Sequence, residues 1–430
     1  MRTNHVRRAL GTASALLLLP ALLAGSTAGR AYAAPRADTT ATADCGTATA
    51  LTKTLPNGTG WSMCWRLSGT KGLVLERIAY RPRNEPRPLK VLTSASLAQV
   101  NVPYDSGLTE YNDLSDIGFG NTAIDIGREE CPGGTVSPVY VPQQERTVKA
   151  LCTTTAPHGY AYRSDVDDDH GTAKKYTKQG SDLVILSVSQ LGWYEYITQW
   201  NFSDDGTITA KMGATGDLSP GDYSGAGTGW PIGKGDRDHS TSHYHSVFWR
   251  LDFGLDGSPR AKVEQYDTKK AGRGPGSAVL KTTRTPVTRE LAANSALRRW
   301  WRVVSTAGKN ADRHPRSWEL VQQHSDRYDA HAYTSKDVYV TQYRACEQLA
   351  SGNSDPACDG RGTSVDKWAN GETLTHPVMW VNVGFHHIPR DEDQTPMPVH
   401  WQGFQLAPRD VTAMSPLTPD ELSGHNGQGN

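Results

Sequence analysis

The chain has 430 residues, with 45 Lys and Arg balanced by 45 Asp and Glu. Residues 1–33 contain four arginines and no acid, so the remainder carries 41 against 45, a net charge of 4 negative. That charge argues against nucleic acid or an anionic membrane surface as partner, while roughly 400 residues suit either several domains or one large β-sandwich.

The chain opens with Arg2, Arg7 and Arg8, then an apolar run from Ala9 to Leu23, then Ala31-Tyr32-Ala33. A basic start, a short apolar core and a small-x-small site read as a secretory signal peptide over 1–33, too short to span a membrane. The Arg7-Arg8 pair admits twin-arginine export. Residues 34–58, rich in Ala, Thr and Asp, read as linker-like.

Strands begin at Ser62–Leu67 and Leu73–Tyr80, and short apolar or alternating runs recur to about residue 412. Turns such as Asp205-Gly206 and Asp256-Gly257 punctuate them. Only Thr288 to Arg299 reads as helical. Polar loops are expected over 219–242 and 350–372, and a flexible tail over 413–430. The fold class expected for 59–412 is all-β, a large antiparallel sandwich of two stacked sheets.

Six cysteines in an exported chain predict three disulfides, whose connectivity the sequence leaves open. They fall into close pairs: Cys45 with Cys64, Cys131 with Cys152, and Cys346 with Cys358. Neither C-x-x-C nor Cys/His zinc spacing occurs.

His243 and His245 lead into an alternating strand ending at Phe253. Two apart on a strand, both imidazoles project from one face, where they either share a metal or sit as surface residues at a loop end. Imidazole suits copper, zinc, iron and nickel alike. His386-His387 offers a third ligand or a core residue. Asp113 stands before a glycine turn as a buried base or an Asx-turn residue, and Tyr194 lies in an aromatic strand-like run that otherwise reads as core.

Together these residues resemble the copper amine oxidases. That family carries Tyr-Asp/Glu-Tyr, here Tyr194-Glu195-Tyr196, a later His-x-His, here His243 and His245, and a final His-x-Pro-Arg segment, here His387-Ile388-Pro389-Arg390 with Glu392, Asp393 and Met397-Pro398 following. Further landmarks in family order, including Val102-Pro103-Tyr104, Gly213-Ala214-Thr215-Gly216 and Arg250-Leu251-Asp252, extend the resemblance over about residues 60 to 410.

The resemblance implies that Tyr194 is the precursor of topaquinone and that His243, His245 and His387 bind Cu2+, with Met397 close by. It implies Asp113 as catalytic base, Tyr104 as a hydrogen-bond partner of the quinone, and a Cys131–Cys152 disulfide. It implies a secreted oxidase turning a primary amine, O2 and water into aldehyde, H2O2 and ammonia, assembled as a homodimer, although 305–332 is short for the arms of such dimers. The alternative is a copper-binding protein of the same fold without quinone chemistry, acting as a binding or structural protein or in another oxidation.

The chain departs from the family pattern at several positions. Trp193 and Gln190 stand where the family has Asn and Thr, and an indole at 193 is expected to restrict the Tyr194 ring or block its substrate side. The stretch from Tyr104 to Asp113 is shortened. At the family's peripheral calcium-type site Asp252 remains, but Gly254 and His376 replace acids. Only about 25 linker-like residues separate the signal peptide from the matching region, so the chain is expected to be the catalytic domain alone, with wider access to its site.

Overall fold

The computed structural model describes residues 44–422 apart from 84, 168–172, 220–226, 234–238, 273–278, 297 and 324. The segment read as a signal peptide, 1–33, together with residues 34–43 and 423–430, lies outside the described residues. In chain order the strands are β1 (Thr49–Thr54), β2 (Gly60–Ser68), β3 (Gly72–Arg81), β4 (Leu89–Pro103), β5 (Glu110–Asn112), β6 (Thr135–Val141) and β7 (Arg146–Asp167). They continue as β8 (Ala173–Leu191), β9 (Tyr194–Ser203), β10 (Ile208–Gly216), β11 (Gly229–Pro231), β12 (His239–Thr241), β13 (His243–Phe253) and β14 (Ala261–Lys270). The remainder are β15 (Leu280–Val287), β16 (Leu291–Ala293), β17 (Arg299–Lys309), β18 (Pro315–Gln322), β19 (Val338–Gln342), β20 (Pro377–His387) and β21 (Met397–Arg409).

One sheet runs β1-β2-β3-β4-β13-β20-β19-β16 with β5 attached to β4, and the other runs β15-β14-β17-β18-β21-β10-β9-β8-β7-β6. The expected antiparallel sandwich is therefore present. Its core is where alternating inward side chains of the two sheets meet: Trp200 on β9 packs edge-on against Trp249 on β13 with centroids 5.0 Å apart, and Trp61 on β2 meets Phe202 on β9 at 5.0 Å. Each such aromatic pair contributes about 0.5–1.5 kcal/mol beyond its buried area.

Alternation also sorts β13. Val247, Trp249 and Leu251 face the other sheet, while Phe248 joins Tyr339, Trp368 and Trp380 on the outer face. That outer face is covered by the loop expected over 350–372, which buries Val365 and Trp368 on a short helix α2 (Val365–Trp368) and is closed by Cys346–Cys358.

Three expectations are corrected. Thr288 to Arg299 is not helical: Leu291–Ala293 forms β16 on the edge of β19, and the Glu290 carboxylate accepts backbone N–H groups of Gln342, Asn370, Gly371 and Glu372. Strand pairing and a satisfied carboxylate outweigh the helix-forming composition there. The segment read as a linker supplies β1, paired with β2 and tied to it by Cys45–Cys64. The tail keeps Leu417 buried. All three cysteine pairs are bonded, including Cys131–Cys152. The longest strand pair among the described residues is β7–β8.

Candidate metal centre and its adjoining cavity

The site lies between the sheets, and strand register assembles it. On β13, His243 and His245 point to the same side, and antiparallel pairing sets His243 opposite His387 at the end of β20. From the other sheet comes Tyr194, the first residue of β9 after a two-residue turn, Gly192-Trp193, which closes the β8–β9 hairpin at the Leu191–Tyr194 pair. Gly192 has φ +60°, a left-handed backbone that glycine supplies. Tyr194 in turn pairs with Gly216 on β10, and Gly216 with Met397 on β21. Gly216 has φ +96°, and a Cβ there would lie 2.7 Å from the Trp193 carbonyl oxygen, so glycine allows the close approach that seats Tyr194.

The hydrogen bonds fix the tautomers. His243 Nδ1 lies 3.0 Å from the Thr241 carbonyl, which can only accept, so Nδ1 carries the proton and Nε2 turns inward. His387 Nε2 lies 3.0 Å from Asp393 Oδ2, leaving Nδ1 inward. The Tyr196 hydroxyl donates to Asp113, so His245 Nδ1, 3.1 Å away, donates to the Tyr196 oxygen. His245 Nε2 is then a buried lone pair with no hydrogen-bond partner.

These three ligand atoms lie within 4.8 Å of one another. The Tyr194 hydroxyl sits among them, 2.7 Å from His243 Nε2, 2.8 Å from His387 Nδ1 and 4.0 Å from Met397 Sδ. One phenolic proton cannot serve three inward lone pairs, and a metal cation satisfies them together. The donor set fits copper, whose preferred protein ligands include imidazole.

Electrostatics keep the donors available. Burial, reinforced by the neighbouring imidazoles, pushes His243 down to about 3 and His245 well below the usual histidine range. His387 is lowered by burial although Asp393 opposes the shift. All three are neutral near pH 7, the state that binds metal. Burial would raise Asp393, but hydrogen bonds from His387 and from His400, at 3.1 Å, hold it below the usual carboxylate range. Burial, then Tyr104 and Asp393, lift the Tyr194 phenol well above its ordinary value.

On its other side Tyr194 borders a cavity of about 160 Å³ lined by Tyr104, Asp113, Trp193 and Tyr196 among others. Asp113 opens a one-turn helix, α1 (Asp113–Asp116), and is buried despite the shortened segment before it. Burial pushes its carboxyl up to about 7, against the Tyr196 hydrogen bond. The Tyr104 ring stacks on His243 at 4.8 Å.

Residues 57–419 match the sequence pattern of the copper amine oxidase enzyme domain. The chain belongs to the copper amine oxidase family. It is 27% identical over 398 residues to a primary amine oxidase of Arthrobacter sp. (strain P1), covering 83% of this chain and 58% of that protein. It is 26% identical over 415 residues to a histamine oxidase of Arthrobacter globiformis, covering 86% and 58%. The chain thus spans under three-fifths of the length of these relatives. Among solved structures, the fold is similar to a copper-containing benzylamine oxidase of Hansenula polymorpha, with a TM-score of 0.70, 22% identity, and coverage of 83% of this chain and 60% of that one.

Within the family frame, Trp193 is the second residue of the β8–β9 turn. As a turn residue the indole stands 53% exposed at the edge of this cavity, and the ring contacts of Tyr194 are with Tyr196 and the three imidazoles. At the peripheral calcium-type position, Asp252 Oδ1 is engaged by His376 Nε2 at 2.7 Å, so an imidazole takes the carboxylate a cation would need. Sequence reasoning missed Tyr196 as the link between Asp113 and His245, and Asp393 with His400 as the support of His387. Tyr196 had a signal, since it shares a strand face with Tyr194 two residues earlier. His400 had none.

Proposed function

We propose that this chain is a copper- and topaquinone-dependent primary amine oxidase, with Tyr194 as the quinone precursor. The observation that carries the reading is the junction at Tyr194: its hydroxyl lies among the imidazoles of His243, His245 and His387, and its ring borders the cavity that holds Asp113. Copper would be held by His243 Nε2, His245 Nε2 and His387 Nδ1, and with O2 it supplies the oxidising power that turns the phenol into a quinone able to condense with an amine.

The remaining chemistry falls to the protein. Asp113, poised near neutrality by burial, accepts the proton from the carbon bearing the amine. Tyr196 holds that carboxyl in place, and Tyr104 and Tyr194 keep the amine against it. The substrate carbon is oxidised by two electrons and O2 is reduced by two, so that RCH2NH2 + O2 + H2O gives RCHO + NH3 + H2O2.

Three disulfides and the signal-like 1–33 segment support export to an oxidising compartment. No helix among the described residues is long and apolar enough to cross a membrane. Family membership supports a homodimer, which light scattering tests. For the activity, copper-loaded protein should release peroxide and ammonia in equal amounts from a primary amine; a loaded protein that releases neither refutes the proposal.

A further inference from the structure

The cavity beside Tyr194 limits which amine fits. Its volume is about 160 Å³, and cavities of about 150 Å³ accept a single benzene ring. Its walls include Tyr104, Tyr111, Leu191 and Trp193, and among the described lining residues Asp113 is the only acid. The inner residues Asp113, Tyr104 and Tyr194 are buried, whereas Tyr111, Ile117 and Trp193 are partly exposed and form an apolar mouth.

We propose that Trp193 is a specificity-determining residue that restricts this site to primary monoamines carrying one aromatic ring, such as benzylamine. The proposal rests on the oxidase reading of the same site. An amine group directed at Asp113 and Tyr194 leaves the rest of the substrate between Tyr104, Tyr111 and the Trp193 indole, which offer ring faces and no charge. A second ammonium on a diamine would meet those apolar side chains with no acid among the described lining residues to pair it, which desolvates a charge without compensation. A two-ring amine exceeds the volume unless Trp193 is removed. The hairpin turn is what puts the indole there: Gly192 makes the reversal, and the next side chain has to project from the end of the hairpin toward the cavity mouth.

The test compares copper-loaded wild type with Trp193→Ala and Trp193→Phe, each normalised to quinone content by phenylhydrazine titration. Wild type should favour benzylamine over both 1-naphthylmethylamine and 1,4-diaminobutane in kcat/KM. In Trp193→Ala the benzylamine value should fall about three- to ten-fold, the scale of one lost aromatic contact, while the ratio of naphthylmethylamine to benzylamine rises; Trp193→Phe should restore the wild-type order. An unchanged ratio in Trp193→Ala, or a diamine used as well as benzylamine by wild type, overturns the proposal. Absence of titratable quinone would instead refute the oxidase reading. The size and charge limits are then read by calorimetry on copper-free protein at pH 8.5, where benzylammonium should bind more tightly than butane-1,4-diammonium and Trp193→Ala should erase the difference. Equal or undetectable binding of the two by wild type overturns the inference.

Discussion

Replacing Asp113 by asparagine isolates the property that would make this carboxyl a base. The side chain is 4% exposed and burial shifts it from 3.8 to about 7. A raised carboxyl pKa means that the folded protein favours the protonated form, so its contribution to stability is full below about pH 4 and is lost as pH rises through about 7. At about 1.4 kcal/mol per pH unit, the loss amounts to about 4 kcal/mol. Asparagine keeps an oxygen for the Tyr196 hydroxyl and cannot ionise, so Asp113→Asn should gain on wild type by that amount between pH 4 and 8. With about 2.1 cal/mol/K per residue, a folded chain of this size has an unfolding entropy near 0.8 kcal/mol/K, and the expected gain in Tm is about 5 °C. Thermal melts of the copper-free proteins at pH 4 and pH 8 measure it, because other titrations cancel in the difference. A difference in Tm that does not vary with pH would refute the reasoning. The same variant should lower amine oxidation about 10²- to 10⁴-fold, and the wild-type rate should rise with pH about a midpoint near 7.

Other perturbations test the supports of the site. Asp393→Asn leaves His387 or His400 without its acceptor, and competitive chelator titration should show copper affinity about 10- to 100-fold weaker; His400→Ala, which keeps the His387 bond, should weaken it less. Gly216→Ala forces a Cβ against the Trp193 carbonyl at a left-handed φ and should cost about 1–3 kcal/mol in denaturant unfolding, with a lower quinone yield because Tyr194 is pushed from its seat. Loss of Cys131–Cys152 by double alanine substitution removes a 21-residue closure and should cost about 3 kcal/mol by the same measurement.

How much of this was legible in the sequence varied with the range of the interactions involved. His243 and His245 could be placed together because a period of two is local. Setting His387 opposite them depends on the register of β13 with β20, which no local pattern specifies, and it came from the family resemblance. The false helix at 288–299 shows the converse, since its Ala, Leu, Glu and Arg composition was read correctly but β19 and the backbone donors around Glu290 decide the conformation. The apparent linker became a strand because Ala50 faces Cys64, whose disulfide to Cys45 pins that edge. Trp193 was flagged for its bulk, yet its direction follows from Gly192 starting the turn, which becomes visible only once Leu191 and Tyr194 are known to pair.

The most direct test is aerobic addition of copper to the copper-free protein, followed by visible absorption and then by phenylhydrazine. One copper per chain should produce a coloured species and a stronger coloured adduct, with neither formed in Tyr194→Phe or without O2. Stoichiometric copper binding with no colour, or colour that survives Tyr194→Phe, would contradict the assignment of Tyr194 as the cofactor precursor.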